Sequence, residues 1–217
     1  MNPRDNVRRI DAARPGDDLI REAARIICNG GIVVFPTTGL YGLAADASNP
    51  AAIEKVFAAK RRPPDKPILI LVSNQEAIRN WVLEIPPVAE RIMTAFWPGK
   101  LTIVFKAGAG IIPSLTAGTG KIGIRLPVHP IARDLVRAVG RPITATSANI
   151  SGQNGCSRIA DIAPAVADAV DLILDAGPLE GGMGSTIVDV TQTPPIVLRE
   201  GSIPKHLIFS EYVGFRG

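Results

Sequence analysis

A series of short apolar runs, separated by helical patterns and by loops of glycine, proline and hydroxyl residues, constrains this chain more than any other feature. The runs are Gly31 to Pro36, Pro67 to Val72, Leu101 to Ala107, Lys121 to Pro127, Pro142 to Ala148, Asp171 to Gly177, Ser185 to Thr191 and Pro194 to Gly201. Each is too short for a buried helix and is closed by turn-forming residues, so each reads as a strand. Helical patterns lie between several of them. Asp17 or Asp18 can cap a helix carrying Leu19, Ala23, Ile26 and Ile27 on one stripe, with Gly30 as its stop and Cys28 packed near its end. Asn49 and Pro50 open a second helix through Lys60. Others are expected from Pro130 to Val139 and from Ile159 to Val170, and Ser202 to Gly217 reads as a short packed tail. Helices between buried strands predict an α/β fold with some parallel pairing, and the closely spaced late strands predict antiparallel additions. The expected architecture is a twisted, open, mixed sheet with flanking helices. One domain over residues 1–217 is expected, its motif-bearing core running from about 17 to 201.

Composition excludes several classes. No apolar stretch nears the roughly 18 residues of a membrane span, and the charged N-terminal segment lacks a signal-peptide core, so a cytoplasmic protein is expected. Cys28 and Cys156 lie too far apart for a zinc pair and are expected as reduced thiols. His129 and His206 are isolated, which leaves no histidine metal set or triad, and Trp81 and Trp97 are expected in the core. The net charge of +4 permits a nucleotide or RNA partner without demanding one.

Four loops carry more polar chemistry than their turns need. Pro36 to Leu43 offers amides, the hydroxyls of Thr37 and Thr38, and close approach at Gly39 and Gly42; a glycine turn is the competing reading. Lys60 to Pro67 sets Lys60, Arg61, Arg62 and Lys66 beside prolines, which suits a triphosphate, against the alternative of a solvated charged loop. Alternation puts Lys121, Gly123 and Arg125 on one strand face, where two cations meet a carboxylate and a phosphate unless they simply guard an edge. Thr144 to Gly152 packs Ser147, Asn149 and further small donors into a turn suited to phosphate or adenine.

Taken in order, the segments at 36–47, 60–67, 123–127, 146–152, 184–190 and 197–201 resemble the motif series of the YrdC/YciO family, above all its threonylcarbamoyl-AMP synthases. The resemblance implies an α/β sheet around a basic cavity. It also implies a nucleotidyltransferase that joins L-threonine, bicarbonate and ATP into threonylcarbamoyl-AMP and pyrophosphate. By motif, Lys60, Arg62, Lys66, Lys121, Ser147, Asn149 and Arg199 would bind ATP, with Lys60 and Arg62 neutralising charge. Thr37, Thr38, Gly39, Arg125, Ala145 and Ser185 would bind threonine, Arg125 through its carboxylate. Magnesium would come with ATP rather than on protein ligands. Downstream proteins would move the threonylcarbamoyl group to tRNA, and double-stranded RNA or tRNA is a further partner the family implies. Many relatives read Pro-Thr-acid-Thr where this chain has Pro36-Thr37-Thr38-Gly39, and larger relatives append a second domain. Adenylation of a different carboxylated amine and non-catalytic binding of double-stranded RNA are the competing functions.

Overall fold

Apolar alternation and turn chemistry set the elements. The computed structural model describes residues 5–11 and 16–213, so the ends of the charged N-terminal segment and of the tail lie outside the described residues. The strands are β1 (Val7–Arg9), β2 (Val33–Pro36), β3 (Tyr41–Ala44), β4 (Ile70–Leu71), β5 (Leu101–Lys106), β6 (Lys121–Arg125), β7 (Ile143–Thr144), β8 (Thr146–Ser147), β9 (Leu172–Asp175), β10 (Thr186–Asp189) and β11 (Ile196–Arg199). The helices are α1 (Asp17–Cys28), α2 (Pro50–Lys60), α3 (Pro87–Phe96), α4 (Pro113–Thr116), α5 (Pro130–Val139), α6 (Pro164–Ala167) and α7 (Lys205–Val213).

The mixed α/β class is as expected, with the ladder divided into two mixed sheets. One runs β1-β9-β2-β3-β8 and the other β11-β10-β5-β6-β4-β7. They meet at the run from Pro142, read from sequence as a single strand. Thr144 N bonds Ala45 O at 2.8 Å and Ala145 N bonds Leu69 O at 2.9 Å, while Ser147 pairs with Gly42 across β3. Ala145 is the point where the chain leaves one sheet for the other.

Alternation explains both faces of each sheet. Val33, Phe35, Leu172 and Leu174 pack with Ile20, Ala23, Ala24 and Ile27 of α1 and with Leu135 and Val136 of α5. The intervening Val34, Leu43 and Ile173 join a larger core with Ile53, Ile70, Ile103, Phe105, Ile122 and Ile124. The opposite face of β5, β6 and β10 presents Thr102, Val104, Lys121, Gly123, Arg125, Ile187 and Asp189. That face is free to carry a site.

Asn49 caps α2, its side chain accepting from Ala52 N at 3.2 Å, and α5 spans the expected residues. Trp97 is buried, with Nε1 donating to Leu101 O at 2.8 Å, and Trp81 packs against the same core. Several readings need correction. Gly16, rather than either aspartate, precedes α1, and Ile20 and Ala24 replace Leu19 and Ile26 among its buried residues. Cys28 is exposed rather than packed. The helix expected from Ile159 to Val170 is broken, because Pro164 has no amide to continue one. Its place is taken by a single turn at Ile159–Asp161 and the short α6. α3 went unread because Pro86 and Pro87 look like a loop, though proline suits a first helical turn. The tail forms α7, with Ile208 buried.

Candidate active site

The six-stranded sheet forms one wall of a cavity of about 800 Å³, and the loops at 37–42 and 182–185 contribute to its lining. Of the residues singled out in the sequence, Thr37, Thr38, Gly39, Arg62, Lys121, Arg125, Ala145, Ser147, Ser185 and Arg199 line it. Lys60, Lys66 and Asn149 do not. Four loops far apart in sequence thus converge on one space.

The loop after β2 is held by Thr37, whose amide and hydroxyl both donate to Leu40 O, at 3.1 and 2.6 Å. Tyr41 is fully buried; its hydroxyl donates to Gly177 O at 2.7 Å and accepts from Ala176 N at 3.0 Å. Burial pushes its pKa up to about 12, so it stays a neutral tether. The glycine-rich segment that follows is tied down by its backbone. Leu179 N bonds Ser157 O at 2.8 Å, Gly181 N bonds Gly39 O at 2.9 Å, and Ser202 N bonds Gly184 O at 3.1 Å.

The basic loop after α2 divides its labour. Arg61 takes a left-handed conformation that turns the chain. Arg62 donates from Nε to Lys66 O at 3.1 Å and from Nη2 to Pro67 O at 2.7 Å, clamping the proline loop while facing the cavity. Burial lowers its pKa. Lys66 is exposed on that loop. Lys60 is buried, its Nζ donating to Ser147 O and, at 2.7 Å, to Asn149 O, which fixes the backbone of the 147–149 turn. Burial, with the charge of Arg62 nearby, brings its pKa down to about 7. Asn149 Nδ2 donates to Ile150 O and Gln153 O, at 2.8 and 2.7 Å, while its Oδ1 is buried without a partner among the described residues.

Arg125 is the least compensated charge in the lining. Its Nε is sealed from solvent and has no hydrogen-bond partner among the described residues. Burial, aided by the charge of Arg199, pulls its pKa down to about 10. Arg199 donates through Nε and Nη2 to Ser185 O, at 3.3 and 2.7 Å, and Ser185 Oγ lies 2.8 Å from Thr102 Oγ1. A desolvated cation is costly until an anion meets it. Lys121 is differently placed, its ammonium 2.8 Å from Asp189 Oδ2.

Asp189, Lys100, Thr102 and the glycines at 182 and 184 also line the cavity and were not singled out from sequence. Asp189 sits within the expected strand at the same parity as Ser185 and Ile187, which was the available signal. Among the described residues no group of three His, Cys, Asp or Glu side chains is placed to hold a metal ion.

Comparison with known proteins identifies the family and the fold. The family model for Sua5, YciO and YrdC proteins, described as Telomere recombination, matches residues 25–201. The threonylcarbamoyl-AMP synthase of Pyrococcus abyssi is 38% identical over 185 residues, covering 85% of this chain and 54% of that protein. This chain therefore spans about half the length of that relative. The crystal structure of P. abyssi Sua5 complexed with L-threonine superposes with a TM-score of 0.90 at 35% identity, covering 96% of this chain and 61% of that one. E. coli YciO superposes with a TM-score of 0.83 at 28% identity, covering 91% and 96% of the two chains. By the family match and these likenesses, the chain belongs to the Sua5/YciO/YrdC family.

Proposed function

We propose that this chain is a nucleotidyltransferase joining L-threonine, bicarbonate and ATP into threonylcarbamoyl-AMP and pyrophosphate, for threonylcarbamoyladenosine formation in tRNA. The observation that carries the reading is Arg125, a guanidinium in the cavity wall whose Nε is sealed from solvent without a hydrogen-bond partner among the described residues, with the charge of Arg199 acting on it. A site built this way favours ligands with more than one negative charge. A threonine carboxylate on Arg125 and ATP phosphates near Arg62, Arg199 and Ser147 meet that need. The name of the Pyrococcus relative and the threonine in its structure support the same choice.

In the proposed reaction the neutral threonine amine adds to carbon dioxide derived from bicarbonate and loses a proton. The resulting carbamate oxygen attacks the α-phosphorus of ATP, and the bond to pyrophosphate breaks. Such a displacement needs positioning and charge neutralisation more than a side-chain nucleophile. Lys60 supports it from behind, by holding the carbonyls of Ser147 and Asn149. Magnesium would ride on the ATP phosphates, since the one lining carboxylate among the described residues, Asp189, is engaged by Lys121.

The substrates fit a cytoplasmic enzyme, and no helix of the described residues is long and apolar enough to cross a membrane. Proteins that transfer the threonylcarbamoyl group to tRNA would consume the product, and RNA itself is a candidate partner at the cavity rim. Pyrophosphate release with bicarbonate present, measured while the amino acid is varied, tests the reading. Threonine should drive release, and equal rates with other amino acids would refute the threonine assignment.

A further inference from the structure

The cavity wall is electrically divided along β6. Lys121 and Arg125 share one face of the strand, four residues and about 13 Å apart at ~3.3 Å per residue. At the Arg125 end stand the uncompensated guanidinium, Arg199 and the hydroxyls of Ser185 and Thr102. At the Lys121 end the cation is neutralised by Asp189 at 2.8 Å. Between them the wall is apolar or bare, made by Val104, Gly123 and Ile187. A phosphate gains little from a cation already paired with a carboxylate, and Asp189 would repel it. A neutral group rich in hydroxyl donors is what such a pair accepts.

Asp189 is only 2% exposed, and what it presents is the edge that lines the cavity, where its oxygens are not saturated. Its Oδ2 takes the Lys121 ammonium and its Oδ1 takes Thr191 N at 2.8 Å. Each carboxylate oxygen carries two lone pairs, so one remains on each. The side chain is held from two sides, and the bonds from Lys121 and Thr191 keep it ionised below the usual carboxylate range against the opposing effect of burial. A fixed carboxylate with two spare acceptors matches a vicinal diol, and carboxylates read ribose hydroxyls in dinucleotide folds.

We infer that Asp189, oriented by Lys121, accepts the ribose hydroxyls of the nucleotide and makes the site selective for ribonucleotides. This rests on the reading of ATP as a substrate. It replaces the expectation that Lys121 meets phosphate with one in which Lys121 positions the carboxylate that reads the sugar. The triphosphate then extends toward the arginine end of the same wall, so one strand face sets the direction of the nucleotide.

The test is a calorimetric titration of the protein with magnesium and ATP, 2′-deoxyATP, 3′-deoxyATP or ITP, together with threonine binding as a check on the arginine end. The wild type should bind both deoxy analogues about tenfold more weakly than ATP and bind ITP nearly as well as ATP. Asp189→Asn should lose the difference between ATP and the deoxy analogues while still binding threonine. Equal wild-type affinity for ATP and both deoxy analogues would overturn the inference without recourse to any variant. So would an Asp189→Asn protein that keeps the wild-type ratio, or a wild type that discriminates against ITP alone, which would place the carboxylate on the base. A wild type that binds no ATP at all would overturn the nucleotide reading and this inference together.

Discussion

The amide of Gly181 donates to the carbonyl of Gly39 at 2.9 Å, and the two backbones lie so close that a Cβ on Gly39 would collide with the Gly181 carbonyl oxygen. The missing side chain at Gly39 lets the segment from Gly177 to Ser185 settle against the loop after β2. A similar contact holds the far end, where a Cβ on Gly201 would strike Gly184 O. Gly182, Met183, Gly184 and Ser185 of that segment line the cavity.

Gly39→Ala should therefore displace the segment rather than fill a space. We expect a loss of about 1–3 kcal/mol in stability, the usual cost of forcing atoms into a closed contact. The Michaelis constant for threonine should rise about tenfold, because Ser185 and the carbonyl that holds Arg199 move with the segment. Denaturant unfolding and steady-state kinetics check both, and an unchanged threonine constant in a destabilised protein would separate the clasp from binding.

Arg125→Met should separate function from stability. A guanidinium whose Nε is sealed from solvent with no partner among the described residues costs free energy that a methionine of similar length does not. The ligand-free variant is expected to melt about 2–4 °C higher, the shift that ~1 kcal/mol produces in a domain of this size. Threonine should no longer raise its melting temperature. A variant that melts lower and still responds to threonine would contradict the role given to Arg125.

Lys60 makes a prediction about pH. Its pKa falls from an ordinary 10.5 to about 7 on folding, so between those values the unfolded chain holds a proton that the folded chain has released. Stability relative to a Lys60→Met reference should be flat below about pH 7, rise between about 7 and 10.5, and level off above. The two carbonyls it contacts match the two N–H donors of the neutral amine. Paired unfolding curves for wild type and Lys60→Met across this range give the slope; a falling slope would mean that the folded state holds the lysine charged.

Much of this was legible in the sequence because the strands and the cavity loops depend on local pattern. The alternation of β6 by itself sets Lys121, Gly123 and Arg125 on one face, and all three line the cavity. What the sequence hid is which charges are already spent. Lys60 and Lys66 sit in one basic run, yet the first is buried under two carbonyls and the second is exposed. That difference depends on where the 147–149 turn lies, 87 positions away in the chain. Lys121 looked like a free cation because Asp189, 68 positions on, reads as an ordinary strand residue. The change of sheet at Ala145 was hidden for the same reason, since Leu69 O and Tyr41 O, which hold its two sides, are distant in sequence.

The most direct test of the account is mass spectrometry of the reaction products after the protein is incubated with ATP, magnesium, bicarbonate and L-threonine. The account predicts threonylcarbamoyl-AMP and pyrophosphate in equal amounts, both lost when threonine or bicarbonate is withheld. Pyrophosphate without the threonine adduct, or an adduct formed equally from other amino acids, would contradict it.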